Sequence, residues 1–390
     1  MISKTFCILP WIHLNINPDG NVLPCCIGNH RMSLGNVQQS TLAEIWNNDK
    51  FKSMRLNMLN GNQCQECTAC YSNESAGGKS FRQHSNEEYA EFIPVVETTN
   101  NDGSIETMDL KFLDIRWSNI CNFRCKGCSG TYSSSWAKEE ERDDILLISD
   151  GNDNEDLYQQ IKPYLSGVRE IYFAGGEPLL MDKHYEILQY LIDTNNTDIK
   201  LRYNTNLSSL RFKTINVTEL WQQFSNIQLS VSLDHVGYRA EYIREGTDWS
   251  LLEHNIKVVR NSCPKINIGI ASVVSVFNVY TLPDFIDYLF ENDIIDSYSY
   301  MSLYPIINPA FYSFKILPDK YKNEVIQRLS DTSYNKQIDS EIKTVIKHLE
   351  TAQYDSKLRQ EFKNKTDYFD AKRNRCLVET FPELTEIYFG

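Results

Sequence analysis

Two rhythms of apolar residues run along this chain. From Asp109 onward, short runs rich in β-branched and aromatic residues, near 110–117, 169–174, 199–204, 227–233, 265–274 and 296–303, predict six strands. Between them, near 182–194, 249–261 and 281–291, apolar positions recur at helical spacing. Strands separated by such crossovers are what a parallel sheet needs, so the expected fold class is α/β, a partial (βα)6 TIM-like barrel. After residue 310 the strand pattern stops. Charged amphipathic helix takes over, with Val345, Leu349 and Leu358 on one face, as a helical C-terminal extension.

The first 84 residues read differently. Pro18-Asp19-Gly20-Asn21 separates two short alternating runs, Trp11 to Ile16 and Asn21 to Pro24, as in a hairpin. Ser40-Thr41-Leu42-Ala43-Glu44 has the Ser/Thr-x-x-Glu capping spacing. Leu42, Ile45, Trp46 and Met54 then predict one helix to about Leu59, ended by Gly61. Residues 85–107, polar and acidic with Asn100-Asn101-Asp102-Gly103, mark a linker. The expected domains are 1–90, small and cysteine-rich; 105–310, the barrel; and 311–390, the helical extension. The acidic insert 139–156 reads as a solvated loop or helix end.

Composition narrows the function classes. With 390 residues, 41% hydrophobic and 23% charged, the chain is globular. Its net charge of −13 disfavours bulk nucleic acid and anionic membrane as partners. The longest nearly apolar stretch, Ile268 to Phe277, is too short to span a bilayer. Nine of the 11 cysteines fall at or before residue 128. The start MISKTFCILPWIHLNINPDG has no uninterrupted apolar signal region, so the expected compartment is reducing and cytoplasmic, and the thiols are metal ligands rather than disulfides.

The densest chemistry follows the first barrel strand: Cys121-Asn122-Phe123-Arg124-Cys125-Lys126-Gly127-Cys128. Three cysteines can hold a four-iron four-sulfur cluster and leave one iron open, although zinc or free thiols also suit the spacing alone. The next strand ends in Ala174-Gly175-Gly176-Glu177-Pro178, where paired glycines admit close backbone approach and the carboxylate can accept from an ammonium group. Tyr203-Asn204-Thr205-Asn206 and Ser230-Val231-Ser232-Leu233-Asp234-His235 end the third and fourth. All fall where a parallel barrel places its site, at the carboxyl ends of strands.

Through the Cys121/Cys125/Cys128 triplet, Gly175-Gly176-Glu177, and the strand ends Asn204-Thr205-Asn206 and Ser232-Leu233-Asp234, residues 109–305 resemble the radical S-adenosylmethionine (SAM) enzymes. The resemblance implies that the triplet holds a 4Fe-4S cluster whose open iron chelates SAM. Glu177, with Gly175 and Gly176, would bind the SAM amino group, and Asn204, Asn206, Ser232 and Asp234 would contact ribose or carboxylate. Arg244 stands where related enzymes often place an arginine; a SAM carboxylate or substrate contact is implied, a surface ion pair being the plainer reading. The implied reaction is reductive cleavage of SAM to a 5′-deoxyadenosyl radical that takes hydrogen from a peptide, protein or small molecule. Flavodoxin or ferredoxin would supply the electron. Gly127 stands where the family often has an aromatic.

CILPWIHLNINPDGNVLPCC, LGNVQQSTLAEIW and CQECTAC resemble the SPASM or twitch auxiliary-cluster domain, which in much of the family follows the barrel and here precedes it. The resemblance implies one auxiliary 4Fe-4S cluster on Cys7, Cys25, Cys64 and Cys67, with Cys26 and Cys70 as spares. The competing expectation is a zinc- or cluster-binding interaction module on a degenerate barrel. A Rossmann-type methyltransferase is excluded, because cysteines rather than a glycine-rich loop follow the first strand. Cys263 and Cys376 read as structural thiols, with Cys376 able to approach the barrel mouth; His235 is the histidine nearest the expected pocket, and Tyr298, Tyr300 and Tyr304 are expected to pack the last strand.

Overall fold

The computed structural model describes residues 3–75, 77–142, 152–296 and 300–389, with backbone alone over 152–155. Tyr298 and residues 143–151 of the acidic insert therefore lie outside the described residues. The chain forms two compact units: Met1–Cys121, Gly130–Tyr203 and Gln223–Asn226 make one, and Asn122–Ser129, Asn204–Gln222 and Ile227–Gly390 the other.

In the first unit, strands β1 (His13–Ile16), β2 (Asn21–Leu23), β3 (Gly35–Asn36), β4 (Phe112–Ile115), β5 (Glu170–Phe173) and β6 (Lys200–Thr205) lie in the order β3-β2-β1-β4-β5-β6. The predicted hairpin is β1–β2, closed by Gly20 at φ +79. The N-terminal segment does more than make a hairpin: β1 pairs in parallel with β4, Asn15 opposite Asp114, which stands opposite Tyr172 of β5, itself opposite Arg202 of β6. Alternation then sorts the two faces. Leu14, Ile16, Leu113, Ile115, Ile171, Phe173, Leu201 and Tyr203 are all buried on one. Helix α3 (Asp182–Asp193) covers this face, His184 lying edge-on to Phe173 and meeting the Tyr203 hydroxyl at 3.0 Å.

The single helix expected up to Leu59 is two, α1 (Leu42–Trp46) and α2 (Asp49–Leu59). Thr41 and Glu44 form the expected capping box on α1. The Asn48 side chain then takes the backbone N–H groups of Lys50 and Phe51 and starts α2, which interrupts the first helix. Residues 85–107, expected as a linker, are packed. Asn86 donates to Phe6 O, the Trp11 indole donates to Thr99 Oγ1, and Asn47 exchanges two hydrogen bonds with Ile105. Arg55, fully buried beneath the Trp46 and Phe51 rings, reaches Pro10 O and Gly103 O; burial lowers its pKa to about 9.

The second unit contains β7 (Asn226–Ser232), β8 (Asn267–Val274) and β9 (Met301–Pro305), parallel and in the order β9-β8-β7. All six strands expected for the α/β core are thus present, together with the helical extension. Val345 and Leu349 share a buried stripe with Ile338 and Ile342 on helix α4 (Lys336–Thr351). Leu358 does not continue that stripe: Asp355 caps a new helix, α5 (Ser356–Arg373), and Leu358 is half-buried in its first turn. Among the described residues no helix is long and apolar enough to cross a membrane.

Burial pulls the His184 pKa down to about 3. The unfolded chain takes up this proton near pH 6.5, so stability falls as pH drops from about 6.5 towards 3, at about 1.4 kcal/mol per pH unit. His184→Phe keeps a ring on the apolar face. Urea unfolding of this variant is expected to lose one proton's worth of slope between about pH 6.5 and 4 relative to the wild type.

Candidate functional site

In the first unit, β4 runs into the loop that ends at Cys121, and the turn after β5 closes onto that loop. Gly175, at φ +111, packs where a Cβ would meet Arg116 Cβ at 2.8 Å. At Gly176 a Cβ would lie 2.2 Å from Ile120 O, so glycine is the residue that fits. Gly176 N–H donates to Ser118 O and Glu177 N–H to Ile120 O at 2.7 Å. The Glu177 carboxylate is buried and caps the following turn through Leu179 N–H. Cys121 is set by serines: its N–H donates to Ser134 Oγ at 3.2 Å, and the Ser135 hydroxyl donates to its carbonyl at 2.7 Å.

The second unit holds Cys125 and Cys128. Arg124–Cys125 pairs antiparallel with Arg244–Glu245, placing Arg244 across from Cys125. Arg244 is not a surface ion pair. It is buried against Asp234, with Nε 2.8 Å from Oδ2 and Nη2 2.9 Å from Oδ1, and its Nη1 faces Cys125 Sγ at 3.9 Å. Burial opposes its charge, yet Asp234 and Cys125 hold its pKa above the ordinary value. Burial raises the Cys125 pKa against the pull of Arg244. It also pushes Cys128 up to about 12, with Cys125 adding to the rise. Hydrogen-bonding donors beside sulfur suit a thiolate-held, electron-accepting group. Asp234 Oδ1 also accepts from Val273 N–H at 2.7 Å, so Asp234 is bonded both to the Arg244 guanidinium and to the β8 backbone.

Within the second unit Asn206 donates to Asn122 Oδ1 at 3.0 Å and accepts from Ser208 N–H. Asn204 and Ser232 are half-buried. Gly127 packs against Ile306 and Val273. His235 is structural: its Nε2 meets Thr281 Oγ1 at 3.0 Å, it lies beside Phe285, and burial lowers its pKa to about 3. Cys263 is buried against Thr218 O. Cys376 stands at the start of a short helix, Leu377–Thr380. Tyr300 bonds Ser230, while Tyr304 is exposed rather than packed.

The N-terminal thiols converge on a hollow in the first unit bordered by Cys7, Cys25, Cys67 and Cys70, with Leu9, Pro10, Met58 and Arg82. Cys64 lies close by but turns its Sγ to Met54 O at 3.7 Å. Cys26 faces elsewhere, towards Asp114, Arg116 and Arg202. Cys70, expected as a spare, thus borders the hollow, and Cys64 lies near enough to Cys7 and Cys67 to raise their pKa values. Burial raises the pKa of all four bordering thiols, that of Cys7 to about 12; a bound metal reverses this by taking the thiolate. Among the described residues no three His, Cys, Asp or Glu side chains converge as for a single metal ion. Thiols around one hollow are the donor type an iron-sulfur group takes, one thiolate to each iron.

One set of residues escaped sequence reasoning. The face of β1, β4, β5 and β6 opposite α3 is a polar layer of Asn15, Asp114, Tyr172 and Arg202, with Arg116 and Cys26 beside it. Asn15 donates to Asp114 Oδ2 at 2.6 Å, and its own Oδ1 is buried and unpaired. His13 Nε2 and Asn17 Oδ1, on alternate residues to either side, are likewise unpaired. Polar residues alternating with apolar ones in HLNIN and LDIR were the available signal.

Residues 115–289 match the radical SAM superfamily, and residues 7–71 match SPASM, an iron-sulfur cluster-binding domain. Among solved structures the chain is similar to native anSMEcpe with bound AdoMet and a Cp18Cys peptide, at 18% identity and a TM-score of 0.41, over 57% of this chain and 58% of that one. It is similar to Streptococcus suis SuiB bound to S-adenosylmethionine at 14% identity and a TM-score of 0.39, over 85% and 69%. A SuiB structure bound to its precursor peptide SuiA matches at 15% identity and a TM-score of 0.36, over 87% and 71%. The chain thus spans less than two thirds of the length of the first of these structures. No curated protein matches in sequence.

Gly176→Ala drives a Cβ into the backbone that leads to Cys121. It is expected to cost roughly 1–3 kcal/mol in urea unfolding, the range of an overpacked core position.

Proposed function

We propose, from the match of residues 115–289 to the radical SAM superfamily and of residues 7–71 to the SPASM iron-sulfur cluster-binding domain, that this chain is a radical SAM enzyme acting on a peptide, protein or small-molecule substrate. Its cofactors are SAM, a core 4Fe-4S cluster and auxiliary iron-sulfur. In this reading Cys121, Cys125 and Cys128 hold the core cluster. The observation that carries it is the closure of Gly175-Gly176-Glu177 onto the loop of Cys121, with Glu177 N–H on Ile120 O at 2.7 Å. That contact joins the two motifs that SAM chemistry requires.

When bound, the core cluster and SAM supply an electron and a 5′-deoxyadenosyl radical that abstracts hydrogen from the substrate. The chain's part is to bind, orient and exclude water. Glu177, with Gly175 and Gly176, receives the SAM amino group; Asn204, Asn206 and Ser232 offer hydrogen bonds to ribose or carboxylate. Asp234 acts through Arg244, holding that cation beside Cys125. We assign the auxiliary cluster to residues 1–90, the core to 105–310 and the helical extension to 311–390. The chemistry calls for a reducing, cytoplasmic setting and a donor such as flavodoxin or ferredoxin.

For the auxiliary cluster the hollow favours Cys7, Cys25, Cys67 and Cys70 as ligands, with Cys64 and Cys26 outside the set. Cys70→Ala is expected to lose about four irons per chain after anaerobic reconstitution, and Cys64→Ala to keep them. Equal iron in the two variants sinks the assignment.

The enzyme reading is tested by iron counting and by dithionite-driven release of 5′-deoxyadenosine from SAM. The wild type is expected to hold about eight irons and form deoxyadenosine, and the Cys121/Cys125/Cys128 triple alanine variant to hold about four and form none. Zinc in place of iron, or no deoxyadenosine from the loaded protein, would point instead to a binding module.

A further inference from the structure

The superfamily match ends at residue 289, and the helical extension beyond it has no part in the reading above. Yet the cysteine loop Asn122–Ser129 belongs to the same compact unit as that extension. Two sets of contacts link them. On one side of Cys125, Arg124 stands 3.6 Å from Glu245, which also takes Arg375 Nε at 3.3 Å. On the other side, Lys126 is buried at 4% exposure, its backbone N–H bonded to Ile243 O at 2.8 Å. Its ammonium lies 4.5 Å from the centre of the Tyr242 ring and 5.2 Å from that of Phe369 on α5. The Tyr242 hydroxyl donates to Asp370 Oδ1 at 2.6 Å, and Asp370 Oδ2 receives Leu377 N–H at 2.7 Å.

Burying an ammonium is costly, and a chain that needed only packing between Cys125 and Cys128 would use an apolar side chain there. Two aromatic faces offset that cost while fixing where the loop can lie. We propose that the C-terminal extension clamps the core cluster loop on both sides of Cys125, with Lys126 as the positioning residue that acts through Tyr242, Phe369 and Asp370. The proposal rests on the reading that Cys121, Cys125 and Cys128 hold the core cluster.

The test follows iron release from the anaerobically reconstituted full chain to a ferrous chelator. The triple alanine variant, which retains auxiliary iron alone, identifies the core phase. Lys126→Met and Asp370→Asn are expected to speed the core phase about five-fold or more, the scale of one cation–π contact, and to leave the auxiliary phase unchanged. Lys126→Arg restores slow release, since a guanidinium also stacks on an aromatic face. The electron paramagnetic resonance signal of the reduced core cluster is expected to broaden in Lys126→Met and recover in Lys126→Arg. A core phase unchanged in both Lys126→Met and Asp370→Asn overturns the clamp, as does equal acceleration of both phases. A triple alanine variant with wild-type iron content overturns the cluster reading and the clamp with it.

Discussion

The parallel pairing of β1 with β4 is the contact on which the first unit depends. Asp114 is wholly buried, and a carboxylate there must be hydrogen-bonded or it destabilises the sheet. Asn15 supplies the bond from a strand nearly a hundred residues earlier, at 2.6 Å. The cysteine-rich segment is therefore built into the sheet of the core. Cys7 precedes β1 and Cys25 follows β2, so the auxiliary thiols hang from the same sheet whose β4 leads to Cys121. Arg55 and the packed 85–107 segment reinforce that attachment.

Neighbouring side chains divide the labour among thiols that composition alone makes equivalent. Cys25 and Cys26 are adjacent in sequence, yet one borders the hollow with Cys7, Cys67 and Cys70, and the other faces Asp114, Arg116 and Arg202. Cys125 has a guanidinium at hand, held there by Asp234. A cation beside a sulfur stabilises negative charge on it, which favours the thiolate form of Cys125 against the effect of burial. Burial raises the thiol pKa values at both places, so both sets of thiols stay protonated until a partner for the thiolate offsets that burial.

The polar layer of Asn15, Asp114, Tyr172 and Arg202 gives the first unit a more polar buried face than a purely structural sheet would carry. Its opposite face, beneath α3, is apolar but for the Tyr203 hydroxyl, which meets His184. In the second unit the C-terminal extension gives Arg124 and Lys126 their surroundings, so residues far along the chain shape the loop that presents Cys125. Neither arrangement has a local cause: each depends on side chains more than seventy residues apart meeting across the fold.

Local pattern was enough for the six core strands, the Thr41–Glu44 cap, the Gly175-Gly176-Glu177 turn and the cysteine triplet, because each is written in a few consecutive residues whose spacing reflects backbone geometry. It was not enough where a short side chain could end a helix, as Asn48 and Asp355 do, since capping competes with apolar periodicity at single positions. The place of Cys70 beside the hollow, the pairing of Arg244 with Asp234, and the joining of β1 to the core were decided only by the tertiary structure. Sequence spacing determines which groups are present and how far apart the backbone can carry them. Which of them face one another is set by strand pairing and burial, and those depend on contacts between segments that the linear order keeps apart.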